Sequence, residues 1–265
     1  MRELELKLIS NDKIAEKSYR AWFQCDDEGF FDEFKPGQFL QIKIPNSPHL
    51  ILRRPIAVEE CDKTNKRFSI CYFLVGQGTQ LFSALKPGET VVATGPIGNG
   101  FDTSDYRNIW ILGGGLGAAP LYSVVQQNIG KNYTVFLGFS SASYVYDVDK
   151  FEKFSKLTVC TDDGSLGKSG FSIDVMMNAL KNVDEKPDAI FACGNTSMLK
   201  ALKQKMLDHP DIPCFVSLES RMGCGIGTCL VCNCKIQKKN EQAMYKRVCV
   251  DGPVFPVNEV IFDEQ

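Results

Sequence analysis

Residues 109–120 read Ile109-Trp110-Ile111-Leu112-Gly113-Gly114-Gly115-Leu116-Gly117-Ala118-Ala119-Pro120. The first four are continuously apolar, as a strand buried on both faces is. The glycines make a turn, and Leu121 to Ile129 has a helical pattern. Strand, glycine turn and helix in this order are where α/β folds bind a dinucleotide. Gly113-x-Gly115-x-x-Ala118 fits the G-x-G-x-x-A spacing in that setting. The acid that usually holds the ribose about 20 residues further on is missing. Gly138-Phe139-Ser140-Ser141 stands there instead, with no Arg, which leans toward NAD(H) over NADP(H).

Further apolar runs follow at Tyr133–Phe139, Leu157–Cys160, Ala189–Cys193 and Cys214–Leu218. A helical tail to Phe154 and a helical segment, Ser197–Asp208, lie among them. This alternation predicts a doubly wound parallel sheet over residues 101–218. Two loops fall at predicted strand ends, Thr161–Gly167 and Cys193-Gly194-Asn195. Each taken singly is an ordinary turn; their shared position makes them candidates for the ligand crevice.

Upstream, residues 1–100 carry short alternating runs: Glu3–Ile9, Tyr19–Cys25, Gln38–Ile44, Ile56–Glu60, Arg67–Leu74 and Thr90–Thr94. Turn signals such as Asp26-Asp27-Glu28-Gly29 and Lys86-Pro87-Gly88 separate them. Six short strands in this span predict a small antiparallel barrel, with one short helix from Gly78 to Leu85. Arg53-Arg54-Pro55-Ile56 sets paired cations on stiff backbone, either a fork for a diphosphate or a solvated pair. Gly76-Gln77-Gly78-Thr79 opens the short helix, as an anion site or with Thr79 as a simple cap. Gly95 to Phe101 is a glycine-rich loop, read as backbone close to a ligand or as a linker between domains.

Downstream, Cys224, Cys229 and Cys232 stand at C-x4-C-x2-C, and Cys249 follows at a distance. This is the plant-type spacing for a [2Fe–2S] cluster. Gly223, Gly225 and Gly227 suit a loop wound tightly round such a group. A four-cysteine zinc site stays open, although zinc more often takes two C-x2-C pairs. Cys234 is a bystander by spacing, and Lys235–Lys246 reads as a solvated hairpin.

The 265 residues balance 30 Lys and Arg against 32 Asp and Glu, which offers no electrostatic case for nucleic acid. There is no apolar run of membrane-spanning length, and the first residues do not read as a signal peptide. Eleven cysteines, five of them within residues 224–249, do not form an evenly laced disulfide framework, so a reducing cytoplasm is expected. The two histidines, His49 and His209, sit beside prolines and leave little room for His-based catalysis.

Taken together, Arg54-Pro55-Ile56, Gly76-x-Gly78-Thr79, the Gly95–Phe101 loop, Gly113-Gly114-Gly115-Leu116-Gly117, Cys193-Gly194-Asn195 and the cysteine cluster resemble the ferredoxin–NADP reductase superfamily in order and type. Within it, the run Glu219 to Cys229 and the later Cys249–Phe255 resemble the electron-transfer subunits of dihydroorotate dehydrogenase B. The resemblance implies a mixed β and α/β fold: a six-stranded FAD barrel (1–100), an NAD-binding domain (101–218) and a small C-terminal iron–sulfur segment (219–265). It implies that Arg54, Pro55, Ile56, Ala57, Cys71, Tyr72, Phe73, Gly78 and Thr79 meet FAD. The family usually has Ser at the position of Ala57 and often a basic residue at Phe73. It implies Cys224, Cys229, Cys232 and Cys249 as cluster ligands, and Gly113–Gly115, Gly117, Cys193 and Gly194 near NAD(H). An FMN-containing catalytic subunit, two copies of each chain, would be the partner. Electrons would run from dihydroorotate through that FMN, the cluster and FAD to NAD+, with no acid–base triad required. Glu219 is a candidate near the flavin–nicotinamide contact, or else an ion-pair partner of Arg221 or a solvated acid. The same relay serving another partner, of sulfide dehydrogenase or NADH-dependent ferredoxin:NADP oxidoreductase type, and a non-catalytic zinc module remain the alternatives.

Overall fold

The computed structural model describes residues 2–262; residues 1 and 263–265, the outer ends of the ranges read from sequence, lie outside the described residues. The first third runs β1 (Arg2–Ala15), β2 (Ser18–Gln24), α1 (Glu28–Glu33), β3 (Phe39–Ile42), β4 (Arg54–Asp62), β5 (Arg67–Phe73), α2 (Gln77–Ser83) and β6 (Thr90–Ile97). The six strands close into a barrel in the order β1-β2-β5-β4-β3-β6, every pairing antiparallel. Alternation decides which side chains enter it: Leu4, Leu6 and Leu8 are buried while Glu3, Glu5 and Lys7 face out. Stacked and edge-on rings fill the interior, with Phe30 and Phe68 centroids 4.8 Å apart.

Helix α1 is an element that the sequence reading assigned to a turn. Asp27 accepts from the Phe30 N–H at 3.0 Å and so caps it. The helix then turns Phe30 and Phe31 into the barrel core. A cap followed by paired aromatics was the available signal.

The second body contains β7 (Asn108–Gly114), α3 (Ala118–Gln127), β8 (Asn132–Phe139), α4 (Val148–Glu152), β9 (Lys156–Thr161), β10 (Lys168–Ser169), α5 (Ser172–Asn182), β11 (Ala189–Cys193), α6 (Thr196–Met206) and β12 (Cys214–Ser217). Its sheet runs β10-β9-β8-β7-β11-β12 with all neighbours parallel. β7 and β11 are buried on both faces. On one face Ile109 and Ile111 pack with Ala118, Leu121 and Val125 of α3. On the other, Trp110 and Leu112 pack with α5 and α6. Helix α5 was not read from the sequence, although Ile173, Met176, Met177 and Leu180 carry its buried stripe. Each such side chain contributes roughly 1.5–3 kcal/mol on burial.

The cysteine segment adds β13 (Asn233–Ile236), β14 (Met244–Arg247), β15 (Val254–Pro256) and β16 (Val260–Ile261). β13 and β14 form the lysine-rich hairpin, and β16 makes it a three-stranded sheet. β15 does something else. It pairs antiparallel with β12 and becomes the edge of the nucleotide-domain sheet. Cys232, Val248 and Cys249 share one apolar core with Trp110, Val216 and the barrel residue Phe39.

Candidate redox-cofactor cleft and cysteine loop

A cleft of about 1090 Å³ opens between the barrel and the C-terminal ends of the sheet strands. That is ample for more than one small ligand. β4 and β5 line one wall with Arg54, Pro55, Ile56, Ala57, Cys71, Tyr72 and Phe73, and Thr79 of α2 lies beside them. The opposite wall is Gly114, Gly115 and Gly117 from the glycine turn, Cys193 and Gly194 from the end of β11, and Glu219 after β12. Residues about 160 apart in sequence thus face one space.

The two arginines of the paired motif part company. Arg53 turns to the barrel surface, where its guanidinium meets Glu3 at 2.6 Å and the Thr94 hydroxyl. Arg54 lines the cleft and lies over the start of α2. A Cβ on Gly78 would stand 2.6 Å from Arg54 Nε, so the glycine makes room for the guanidinium. Gly78 itself sits behind Arg54, outside the cleft lining. The Thr79 hydroxyl accepts from the Val75 and Gly76 N–H groups at 3.0 and 3.3 Å, and donates to the Gly76 carbonyl. It shapes the loop, which leaves the unpaired first-turn N–H groups and Arg54 as the anion-attracting groups.

Gly117 approaches the end of β11 so closely that a Cβ would lie 2.3 Å from the Cys193 carbonyl oxygen. Gly113 is set back, packed against Leu137 and Ala118, and holds the helix to the sheet. The buried Tyr146 hydroxyl donates to the Gly115 carbonyl at 3.1 Å. Asn195 accepts from the Met198 N–H at 2.9 Å and caps α6. The Gly95–Phe101 loop runs close against protein: a Cβ on Gly98 would meet the Gly252 carbonyl at 2.6 Å, and one on Gly100 the Pro36 carbonyl at 2.4 Å.

Glu219 exposes its side chain to the cleft, yet protein walls its other sides. That partial burial raises its carboxyl, with no cation contributing. Burial, and then Glu219, push the Cys193 thiol up to about 12, so it is a neutral apolar group there. Asp162, in the Thr161–Gly167 loop expected at the crevice, lines the cleft, and so does Asp174, which the sequence reading missed. Asp174 pairs with Lys205 at 2.8 Å. The signal for Asp174 was its place in the first turn of α5.

The cysteine loop follows β12 without a linker. Among the described residues every cysteine is a free thiol. The Cys224 and Cys229 N–H groups each approach the other residue's Sγ at 3.4 Å, and Ile226 N–H approaches Cys224 Sγ at 3.4 Å. Slight burial pushes the Cys224 thiol up; the N–H groups of Ile226, Cys229 and Thr228 and the Cys229 side chain outweigh it and bring it to about 6. Cys232 and Cys249 are both 2% exposed and in contact. The four sulfurs therefore stand as two pairs, and no three His, Cys, Asp or Glu side chains among the described residues converge on a single-ion site. Two pairs of thiols suit a two-iron cluster, where each iron takes two. Gly225 and Gly227, at φ +70° and +81°, let the loop fold back between the pairs.

Comparison with known proteins agrees with this arrangement. Residues 219–261 match the iron-sulfur cluster binding domain of dihydroorotate dehydrogenase B. The dihydroorotate dehydrogenase B (NAD(+)) electron transfer subunit of Bacillus pumilus (strain SAFR-032) is 37% identical over 266 residues, 98% of each chain. That of Streptococcus pneumoniae (strain ATCC BAA-255 / R6) is 37% identical over 97% of each. Among solved structures, an NADH-dependent reduced ferredoxin-NADP oxidoreductase superposes with a TM-score of 0.83 at 31% identity, covering 97% of this chain and 89% of that one. Phthalate dioxygenase reductase, at 13% identity and a TM-score of 0.65 over 92% of this chain and 76% of that one, shares the fold. Full-length identity, the cysteine spacing and the barrel–sheet cleft coincide in one group: the chain belongs to the family of dihydroorotate dehydrogenase B electron-transfer subunits.

Proposed function

We propose that this chain is the relay between a dihydroorotate-oxidising partner and NAD+, holding FAD and NAD(H) in the cleft and a [2Fe–2S] cluster on the cysteine loop. When bound, a flavin exchanges two electrons as hydride with nicotinamide and single electrons with an iron–sulfur centre. The protein's own work is to hold and order these groups. Arg54 and the first turn of α2 attract the flavin diphosphate, and Ile56, Ala57 and Cys71–Phe73 supply a flat apolar wall. Gly114, Gly115 and Gly117 let the turn approach the nucleotide while Gly113 packs α3 against the sheet behind it, and Cys193, Gly194 and Glu219 flank the nicotinamide end. Cys224 with Cys229, and Cys232 with Cys249, hold the irons. The working divisions are 1–100, 101–218 and 219–265, with β15 of the last completing the sheet of the second.

The observation that carries the reading is the shared cleft: barrel and nucleotide sheet line one space, and the cysteine loop packs on both. Around the cysteines, Ile226, Leu230, Val231 and Val250 are 41–58% exposed. Such an apolar patch is what a partner covers. The partner is an FMN-bearing catalytic subunit, assembled two and two, in the cytoplasm. No helix among the described residues is long and apolar enough to cross a membrane. Mixed with that subunit, the purified chain should reduce NAD+ in proportion to dihydroorotate supplied and show flavin and cluster absorption bleached by NADH. A colourless, zinc-loaded protein would refute the relay. Its likeness to the NADH-dependent oxidoreductase keeps a second partner in view: NADH-driven ferredoxin reduction without any response to dihydroorotate would favour that one.

A further inference from the structure

Gln41 is 1% exposed, and among the described residues neither its Nε2 nor its Oε1 has a hydrogen-bond partner. Buried polar side chains are nearly always paired, and an orphaned amide is a standing cost to the fold. Its burial has a specific origin. Along β3, Leu40 and Ile42 enter the barrel core, so Phe39 and Gln41 point outward. On a free barrel that face would be wet. Here the cysteine segment covers it: Phe39 packs with Met222, Cys232 and Cys249, and Gln41 meets Gly225. A Cβ on Gly225 would fall 2.8 Å from Gln41 Cγ and 3.1 Å from its Nε2, so only glycine lets the loop lie on this amide. Across β3–β4 the register sets Gln41 opposite Pro55 and Phe39 opposite Ala57, both on the cleft wall. The unpaired amide therefore stands between the strip assigned to the flavin and the loop that carries Cys224.

We propose that the Gln41 amide donates an N–H···S hydrogen bond to the iron–sulfur cluster or one of its loop thiolates, and thereby raises the cluster's reduction potential toward that of the flavin. The inference rests on the assignment of Cys224, Cys229, Cys232 and Cys249 to a [2Fe–2S] cluster. Hydrogen bonds to the sulfurs are among the groups that set such potentials. A donor stabilises the more negative, one-electron-reduced form more than the oxidised one, because the bond gains charge assistance. No proton moves; the amide keeps its hydrogens. The occupant that competes is an enclosed water, which would pair with the amide whether or not iron is present and leave the potential unmoved.

The test uses the FAD- and cluster-loaded protein with Gln41→Met, which keeps length without a donor, and Gln41→Leu, which is neutral and also lacks the N–H. The cluster potential is read by redox titration followed by electron paramagnetic resonance, with the flavin potential as internal reference. In both variants the cluster's reduction equilibrium should fall about tenfold, which is 59 mV for one electron, while the flavin is unmoved. In the cluster-free protein, Gln41→Met should be at least as resistant to urea as the parent, since the orphaned amide is gone. An unchanged cluster potential in a fully loaded Gln41→Met protein would overturn the proposal and leave the cluster assignment standing. A parent protein that shows no two-iron signal after reduction would instead overturn that assignment, and this proposal with it.

Discussion

Replacing Glu59 by Gln should cost the fold about 3 kcal/mol, the lower end of what breaking a buried ion pair costs. The Glu59 carboxylate is fully buried. One oxygen accepts from Arg20 Nη2 at 2.7 Å; the other accepts from Arg20 Nε at 2.7 Å and from the Ser69 hydroxyl at 2.7 Å. Lys150 stands 3.5 Å away, and Asp147 also contacts Arg20. A neutral amide keeps the shape but turns N–H groups toward a donor and leaves two buried cations facing Asp147 and Glu60 alone. Asp147 supplies part of the missing charge, which is why the low end applies. Typical domains hold roughly 5–15 kcal/mol in all, so the loss should be plain in urea denaturation. Arg20 and Ser69 belong to the barrel, Asp147 and Lys150 to the nucleotide domain. Trp22 lies on a barrel strand and Trp110 in the parallel sheet, so fluorescence of each single-tryptophan version should show both bodies weakened. Combining Glu59→Gln with Asp147→Asn should be non-additive by more than about 1 kcal/mol. A loss under about 1 kcal/mol, or strict additivity, would refute the account of one cluster joining the two bodies.

Other consequences are open to measurement. Gly117→Ala puts a methyl where the Cys193 carbonyl stands, so the turn must shift; NADH affinity should drop at least about tenfold in a binding titration while flavin content holds. Arg54→Met removes a charged donor worth about 1.5–3 kcal/mol, so FAD should bind roughly ten- to a hundredfold more weakly by dialysis. Asp147 is pushed up to about 7 by burial and then by Glu59. A raised carboxyl holds its proton more tightly folded than unfolded. Its contribution is full below the unfolded value and drains away as pH rises through about 7. Asp147→Asn should therefore lessen the fall in unfolding midpoint between about pH 4 and 7; parallel profiles would refute the shift.

The barrel was legible because strands such as β1 and β2 alternate and Gly, Pro and Asn break the runs between them. The parallel sheet was legible because β7 and β11 are apolar without interruption. Helix α1 hid behind Asp26-Asp27-Glu28-Gly29, which has turn composition; the aromatic residues that make it a helix matter only once a barrel exists to receive them. The antiparallel β15 was hidden too, since three residues carry no periodicity and their partners lie 37 to 41 residues earlier. At the site, cysteine spacing survives any fold and was read directly. Gln41 could not be read. A polar residue on the outward face of a barrel strand looks solvated, and only a loop some 180 residues later buries it. The Arg20–Glu59–Asp147 contacts, 39 and 127 residues apart, are invisible for the same reason.

The pairing of β15 with β12 bears on modularity. The cysteine segment resembles an appendage that could be cut off or exchanged between reductases. Cutting at residue 218 would take β15 away and strip Phe255 from its seat. β12 would then end the sheet with a row of unpaired backbone groups, flanked by the apolar Phe215 and Val216, a template for chain-to-chain pairing. Such a shortened flavoprotein should clump rather than work as a simple diaphorase, unless the last residues are grafted back as a separate strand. The electron port is thus also the hem of the nucleotide sheet, and the two have to be inherited together.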